Sequence, residues 1–177
     1  MALRNIVKEG DPVLRKTSRP VKEVNDRIRM ILDDMVETMR DAQGVGLAGP
    51  QVGILRRLFV VEIPEWDEEG NVVSTTLYEI VNPEILETSG EQTEEEGCLS
   101  CPGLTGTVTR PAYVKLKCLD RDGNETVYEG EGLTAKAFMH EYDHLDGILY
   151  IDKATNVHPI GEESEEDEEA EGSGENG

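Results

Sequence analysis

Basic side chains, cysteine, histidine and long apolar runs are all scarce in this chain of 177 residues. Only 17 lysines and arginines stand against 38 aspartates and glutamates, a formal charge of −21. Nine of those acids, with no base among them, fall in residues 161–177; taking nine from −21 leaves −12 on the remainder. A body this acidic repels nucleic-acid backbones and anionic lipid, so no direct nucleic-acid binding is expected. No apolar run approaches the ~20 residues that span a bilayer, and none near Met1 looks like a signal-peptide core. A cytoplasmic protein without a membrane partner is the expectation. Three cysteines (Cys98, Cys101 and Cys118) do not make a disulfide scaffold; in a reducing compartment such thiols bind metal or sit buried. No internal repeat is present.

What is there fits one domain over 1–158, followed by an acidic tail over 159–177 whose self-repulsion predicts disorder. Ile28, Ile31, Leu32, Met35 and Met39 recur at helical spacing and predict a long N-terminal helix over 25–43, with Asn25 as N-cap and Gly44 ending it left-handed. The glycine-rich run from Gly44 to Gly53 reads as non-helical. Short β-rich runs follow at 58–63, 77–81 (stopped by Asn82-Pro83), 107–110, 113–119 and 126–129, the last two joined by a turn at Asp122-Gly123. Residues 66–74 read as a loop or hairpin tip. A second helix is expected over 132–146. The fold class is α+β: a mostly antiparallel sheet packed around a C-terminal helix.

That helix carries His140-Glu141-Tyr142-Asp143-His144, read as His-Glu-x-x-His. Residues i and i+4 stack on one helix face, so both imidazoles reach one point, as a divalent-metal site requires. Glu141, between them, lies close enough to take a proton from water at that point. The bland reading is a solvated amphipathic helix. Apolar Phe138 and Met139 count against it, because buried imidazoles need partners. A third ligand is needed, and Glu96-Gly97-Cys98-Leu99-Ser100 is the best supplier. A thiolate binds zinc or ferrous iron strongly, whereas the bland alternative makes Cys98 a small buried apolar residue. Gly97 permits close backbone approach. Cys101 leaves open a closed Cys98, Cys101, His140, His144 zinc module without catalysis, although Glu141 would then have no task. Gly44 and Gly46 invite a phosphate-loop reading, which fails because Gly49-Pro50 blocks the helix it needs. They are either plain loop, or let backbone run beside an extended substrate while Gln51 aims its amide at a reacting oxygen.

Together, Gly44-x-Gly46-Leu47-Ala48-x-x-Gln51, Glu96-Gly97-Cys98-Leu99-Ser100 and His140-Glu141-x-Asp143-His144 resemble the three signature motifs of the peptide deformylases, in order and over residues 4–155. The resemblance implies a metal-dependent hydrolase that removes formyl from the N-terminal formyl-methionine of nascent polypeptides and releases formate. It implies Cys98, His140 and His144 as ligands of one divalent metal ion, Fe(II) first, with Zn, Ni or Co able to replace it. Glu141 becomes the general acid/base, with Gln51 and the Leu99 N–H binding the formyl oxygen. Gly44, Val45, Gly46, Gly97, Leu133 and Ala137 become the substrate-binding surface, and Arg110 a partner for Asp143. The chain departs from the pattern at Ala48-Gly49-Pro50, at Cys101 (commonly aliphatic) and at Lys136. An acidic tail also replaces the C-terminal helix with which some relatives dock on the ribosome, so any ribosome encounter is transient. The rival enzyme is a His-Glu-x-x-His metallopeptidase, whose third ligand would have to come from further along, where His158 is the only histidine.

Overall fold

Asn25 opens the first helix by accepting the Ile28 N–H at 3.1 Å, and α1 (Asp26–Asp41) buries Ile28, Ile31, Leu32, Met35 and Met39. The left-handed residue at its end is Gln43 (φ 58°) rather than Gly44, whose N–H instead reaches back to the Met39 carbonyl at 2.9 Å. Gly44 is thereby free for a second use at the functional site. The computed structural model describes residues 2–161; residues 162–177 of the acidic tail, for which disorder was expected, lie outside the described residues.

After α1 the chain forms β1 (Gly46–Ala48), a single 3-10 turn (Gly49–Val52), β2 (Leu58–Trp66), β3 (Val72–Ser89), β4 (Gln92–Cys98), β5 (Cys101–Arg110), β6 (Tyr113–Leu119), β7 (Glu125–Glu131), α2 (Leu133–Leu145) and β8 (Thr155–Pro159). The fold is α+β and its strand pairs are antiparallel, but the strands divide into two sheets. One is ordered β1-β2-β3-β6-β7 and the other β4-β5-β8.

Several local expectations are corrected, each for a physical reason. The Gly44–Gly53 run does hold a helical turn, because Pro50 sits at its start, where a missing N–H costs nothing. Strand β3 runs straight through Asn82-Pro83. Its register slips between Val81 and Glu84, so Pro83 owes the ladder no hydrogen bond. Asn82 takes φ 50° there and exchanges two side-chain hydrogen bonds of 2.8 Å with the Val21 backbone. Strand β4, with Glu94, Glu95 and Glu96 in sequence, gave no apolar alternation to read. Pro159, assigned to the tail, closes β8, and the Ile160 N–H bonds the Gly103 carbonyl at 2.7 Å.

Helix α2 lies between the two sheets. Ala135, Phe138 and Leu145 pack on the five-stranded sheet, where Phe138 meets Tyr78 edge-on at 5.0 Å between centroids. The opposite side, which amphipathic logic would leave to water, buries Asp143 and His144 toward β5 and β4, and Glu141 toward β1. A polar helix face buried this thoroughly requires partners supplied by the second sheet.

Candidate metal centre

One helical turn apart on α2, the His140 and His144 rings lie 5.1 Å between centroids. The end of β4 brings Cys98 to them, its Sγ 3.4 Å from His144 Nε2. Ligand atoms of Cys98, His140 and His144 all fall within 4.8 Å of one another. Glu96 Oε1 holds His140 Nδ1 at 2.8 Å, which turns Nε2 toward the cluster. Tyr150 stacks on the same imidazole, 6.0 Å between centroids and 24° from parallel. Burial, with His140 next, holds His144 well below the usual imidazole range, so it is neutral, as a ligand must be. The Cys98 thiol is pushed up by its hydrogen bond with Cys101, by burial and by the Glu141 carboxylate; a dication among the donors would reverse that balance. One sulfur and two imidazoles, one of them braced by a carboxylate, fit zinc, ferrous iron and their neighbours better than magnesium or calcium.

Cys101 is not in this ligand group; it packs with Leu14, Val108, Leu149 and Tyr150. The four-ligand module therefore lacks its fourth ligand. His158 sits on β8 with its ring against its own strand's Asn156 carbonyl, which removes the third ligand a metallopeptidase reading required.

Behind His140 stands a buried ion network. Arg110 donates to Glu96 through Nε (2.9 Å) and Nη2 (3.0 Å), and to Asp143 through Nη1 (2.6 Å). Lys153 also reaches Asp143, at 2.9 Å. Burial pushes the Glu96 carboxyl up, but hydrogen bonds from His140 and Arg110 outweigh it and hold it at about 2. The pairing of Arg110 with Asp143 anticipated from sequence is thus present, while Glu96, named there only as a motif member, joins both His140 and Arg110.

Glu141 projects from α2 toward β1. Its carboxylate lies where a Cβ at Gly46 would stand, and Oε1 is buried without a hydrogen-bond partner. Burial, the largest influence, raises this carboxyl to about 7. Gly44 makes the matching allowance for Leu99, whose Cδ1 would sit 2.7 Å from a Cβ there. At Gly97, by contrast, a Cβ would meet only the Leu104 carbonyl at 3.5 Å. Sterics do not demand glycine at that position, which instead lies where the β4–β5 register slips. Gln51 is fixed at both ends of its amide: Oε1 accepts the Ala48 N–H at 2.9 Å, and Nε2 donates to Ser100 Oγ at 3.0 Å and faces Cys98 Sγ at 3.4 Å.

A pocket of about 550 Å³ opens over these groups. Gly44, Val45, Gly46, Gln51, Gly97, Cys98, Leu99, Leu133, Ala137, His140 and Glu141 line it, and His144 is buried beneath. The sequence-derived residues are therefore brought together. Missed were Ser100, which orients Gln51; Tyr150; and Lys8, Leu104 and Ile160 on the pocket wall. Ser100 belongs to a motif that could have flagged it, whereas the others carry no local signal.

The model of the family described as polypeptide deformylase matches residues 3–159. The chain is 52% identical over 170 residues to the peptide deformylase of Lachnoclostridium phytofermentans, covering 96% of this chain and 100% of that one. With the peptide deformylase of Clostridium botulinum it shares 54% identity over 155 residues, covering 88% and 99%. The solved peptide deformylase of Thermotoga maritima superposes with TM-score 0.78 at 38% identity, covering 86% of this chain and 98% of that one. That of Ehrlichia chaffeensis, in complex with actinonin, superposes with TM-score 0.82 at 37% identity, covering 88% and 90%.

Proposed function

The chain belongs to the polypeptide deformylase family, and on that footing we propose how its pocket removes the formyl group from the formyl-methionine that begins a nascent polypeptide. The reaction is hydrolysis of a formamide, giving formate and a free amine. Cys98, His140 and His144 would hold one divalent ion, with Fe(II) the first choice and Zn, Ni or Co compatible with the same donors. When bound, such an ion acidifies water and polarises a carbonyl.

The remaining work falls to the protein's own groups. Glu141, with one carboxylate oxygen buried and unpartnered, takes a proton from the attacking water and later delivers it to the leaving amine. A carboxyl lifted toward 7 by burial is suited to both transfers near neutral pH. As water adds to the formyl carbon, negative charge gathers on the former carbonyl oxygen. The Gln51 amide and the Leu99 N–H would receive it, and the Ala48 and Ser100 hydrogen bonds keep the Gln51 amide from rotating away. Val45, Leu133 and Ala137 offer apolar wall to the methionine side chain, while Gly44, Gly46 and Gly97 leave backbone open beside the peptide. A formyl carbon bears hydrogen where a peptide carbonyl bears carbon, so a confined site accepts it and disfavours internal peptide bonds.

The observation that carries this reading is the convergence of one sulfur and two imidazole nitrogens within 4.8 Å, beside Glu141. Formate release from formyl-Met-Ala, assayed anaerobically with added Fe(II), tests it; cleavage of unformylated peptides instead would sink it. Metal content of Cys98→Ser tests the ligand set, and an unchanged content removes Cys98 from it. Pro159 and Ile160 join residues 1–158 in the catalytic unit, so a chain lacking 162–177 should turn over a short formyl peptide at the full rate. Among the described residues no helix is long and apolar enough to cross a membrane. A cytoplasmic site of action, with at most a passing ribosome encounter, follows from where the substrate arises.

A further inference from the structure

The sequence feature that the proposed mechanism leaves unused is Cys101. Cys98 ends β4 and Cys101 begins β5, and the two are directly opposed across the turn Leu99-Ser100. Directly opposed residues of antiparallel strands lie about 4.5–5.5 Å apart at Cα, with side chains on the same face. That separation falls inside the window of about 4.4–6.8 Å that a disulfide spans. Both residues line the pocket, but unequally: Cys98 is half-buried, whereas Cys101 is 2% exposed. Cys118, on β6 in the other sheet, is 2% exposed and packs in a separate cluster of the core.

We infer that Cys98 and Cys101 form an oxidation site for peroxides, with Cys98 the thiol oxidised first and Cys101 the thiol that resolves it into a disulfide. The Cys98 sulfur attacks one oxygen of hydrogen peroxide, the O–O bond breaks, and a sulfenic acid and one water result. The Cys101 sulfur then attacks the Cys98 sulfur, the S–O bond breaks, and a second water leaves. Two thiol hydrogens and two electrons have passed to the peroxide, and one S–S bond has formed. A sulfenic acid without a neighbouring thiol advances to sulfinic and sulfonic acids, which a dithiol does not restore. Cys101 therefore makes the damage reversible. The consequence for metal binding, loss of a ligand until reduction, rests on the reading of Cys98 given above.

The test uses the full chain loaded with zinc, which has no redox chemistry, so that the electrons come from thiols. Treatment with hydrogen peroxide should yield a peptide pair linked through Cys98 and Cys101 by mass spectrometry, with Cys118 still a thiol. Zinc should appear in a chromogenic chelator, and dithiothreitol should restore both thiols and zinc binding. In Cys101→Ala, Cys98 should instead accumulate as sulfinic and sulfonic acid that dithiothreitol leaves in place. Absence of the linkage in the unsubstituted chain overturns the inference, whether Cys98 stays a thiol or is over-oxidised at the same rate as in Cys101→Ala. Linkage without zinc release upholds the oxidation site and removes Cys98 from the ligand set.

Discussion

The two walls of the pocket are held by different physics. On the side of β4, β5 and α2, His140 is fixed by a chain of buried charges, Glu96 to Arg110 to Asp143. On the side of β1 and the 3-10 turn, Gln51 is fixed by neutral hydrogen bonds to Ala48 and Ser100, and the space for Glu141 is made by a side chain that Gly46 lacks. The difference matches what each wall must do. A ligand imidazole gains from a carboxylate behind it, which fixes its tautomer and raises its basicity. A group that receives negative charge must carry none of its own. Charge is placed behind the metal-facing group and withheld beside the reacting oxygen.

Glu141 belongs to both walls, rising from α2 and resting against β1, so its loss should break the comparison most severely. Glu141→Ala should retain metal by elemental analysis yet lower kcat by about 10²–10⁴-fold, the usual worth of a general acid–base. Substantial residual turnover would remove it from that role. On the neutral wall, Gln51→Leu should lower kcat by about 10²–10³-fold, and Gln51→Glu should be worse, because its charge opposes the developing oxyanion. If the glutamate variant proved the more active, the argument for a neutral wall would collapse. On the charged wall, Arg110→Met leaves Glu96 with His140 alone and Asp143 with Lys153 alone. Urea unfolding should then show a loss of about 3–5 kcal/mol, the usual result of removing one partner from a buried ion pair; near-unchanged stability would mean that the network is not stabilising.

The smallest effect concerns acid. The folded Glu96 carboxyl, at about 2, lies below its ordinary value of 4.5, so its stabilising contribution is complete above 4.5 and drains away as pH falls toward 2. Glu96→Gln should flatten the pH dependence of stability in that interval and leave it unaltered near neutrality. A curve parallel to that of the unsubstituted chain would show that the carboxylate is not held as described.

How much of this was readable beforehand differs between the walls. His140 and His144 announce themselves, since a separation of four residues on a helix is a local geometric fact. Cys98 and Gln51 were identified through motifs, and the structure brings both to the same pocket. The charged wall was only partly legible: Glu96 opens a motif and the Arg110–Asp143 pair was expected, but the partners of Glu96 lie 14 and 44 positions away and no local pattern names them. Ser100 lies inside a motif, but its task was hidden, because its bond to Gln51 spans 49 residues.

Periodicity and spacing by themselves determined α1, α2, the β6–β7 hairpin and the pairing of two imidazoles, because each depends on backbone geometry over a few consecutive residues. The division into two sheets, the passage of β3 through Pro83, the burial of the polar side of α2 and the choice of Gly46 as the seat for Glu141 were decided only when distant segments met. Whether a charge is stabilising or ruinous in an interior depends on what the fold places opposite it, and that partner is not a property of the neighbouring sequence.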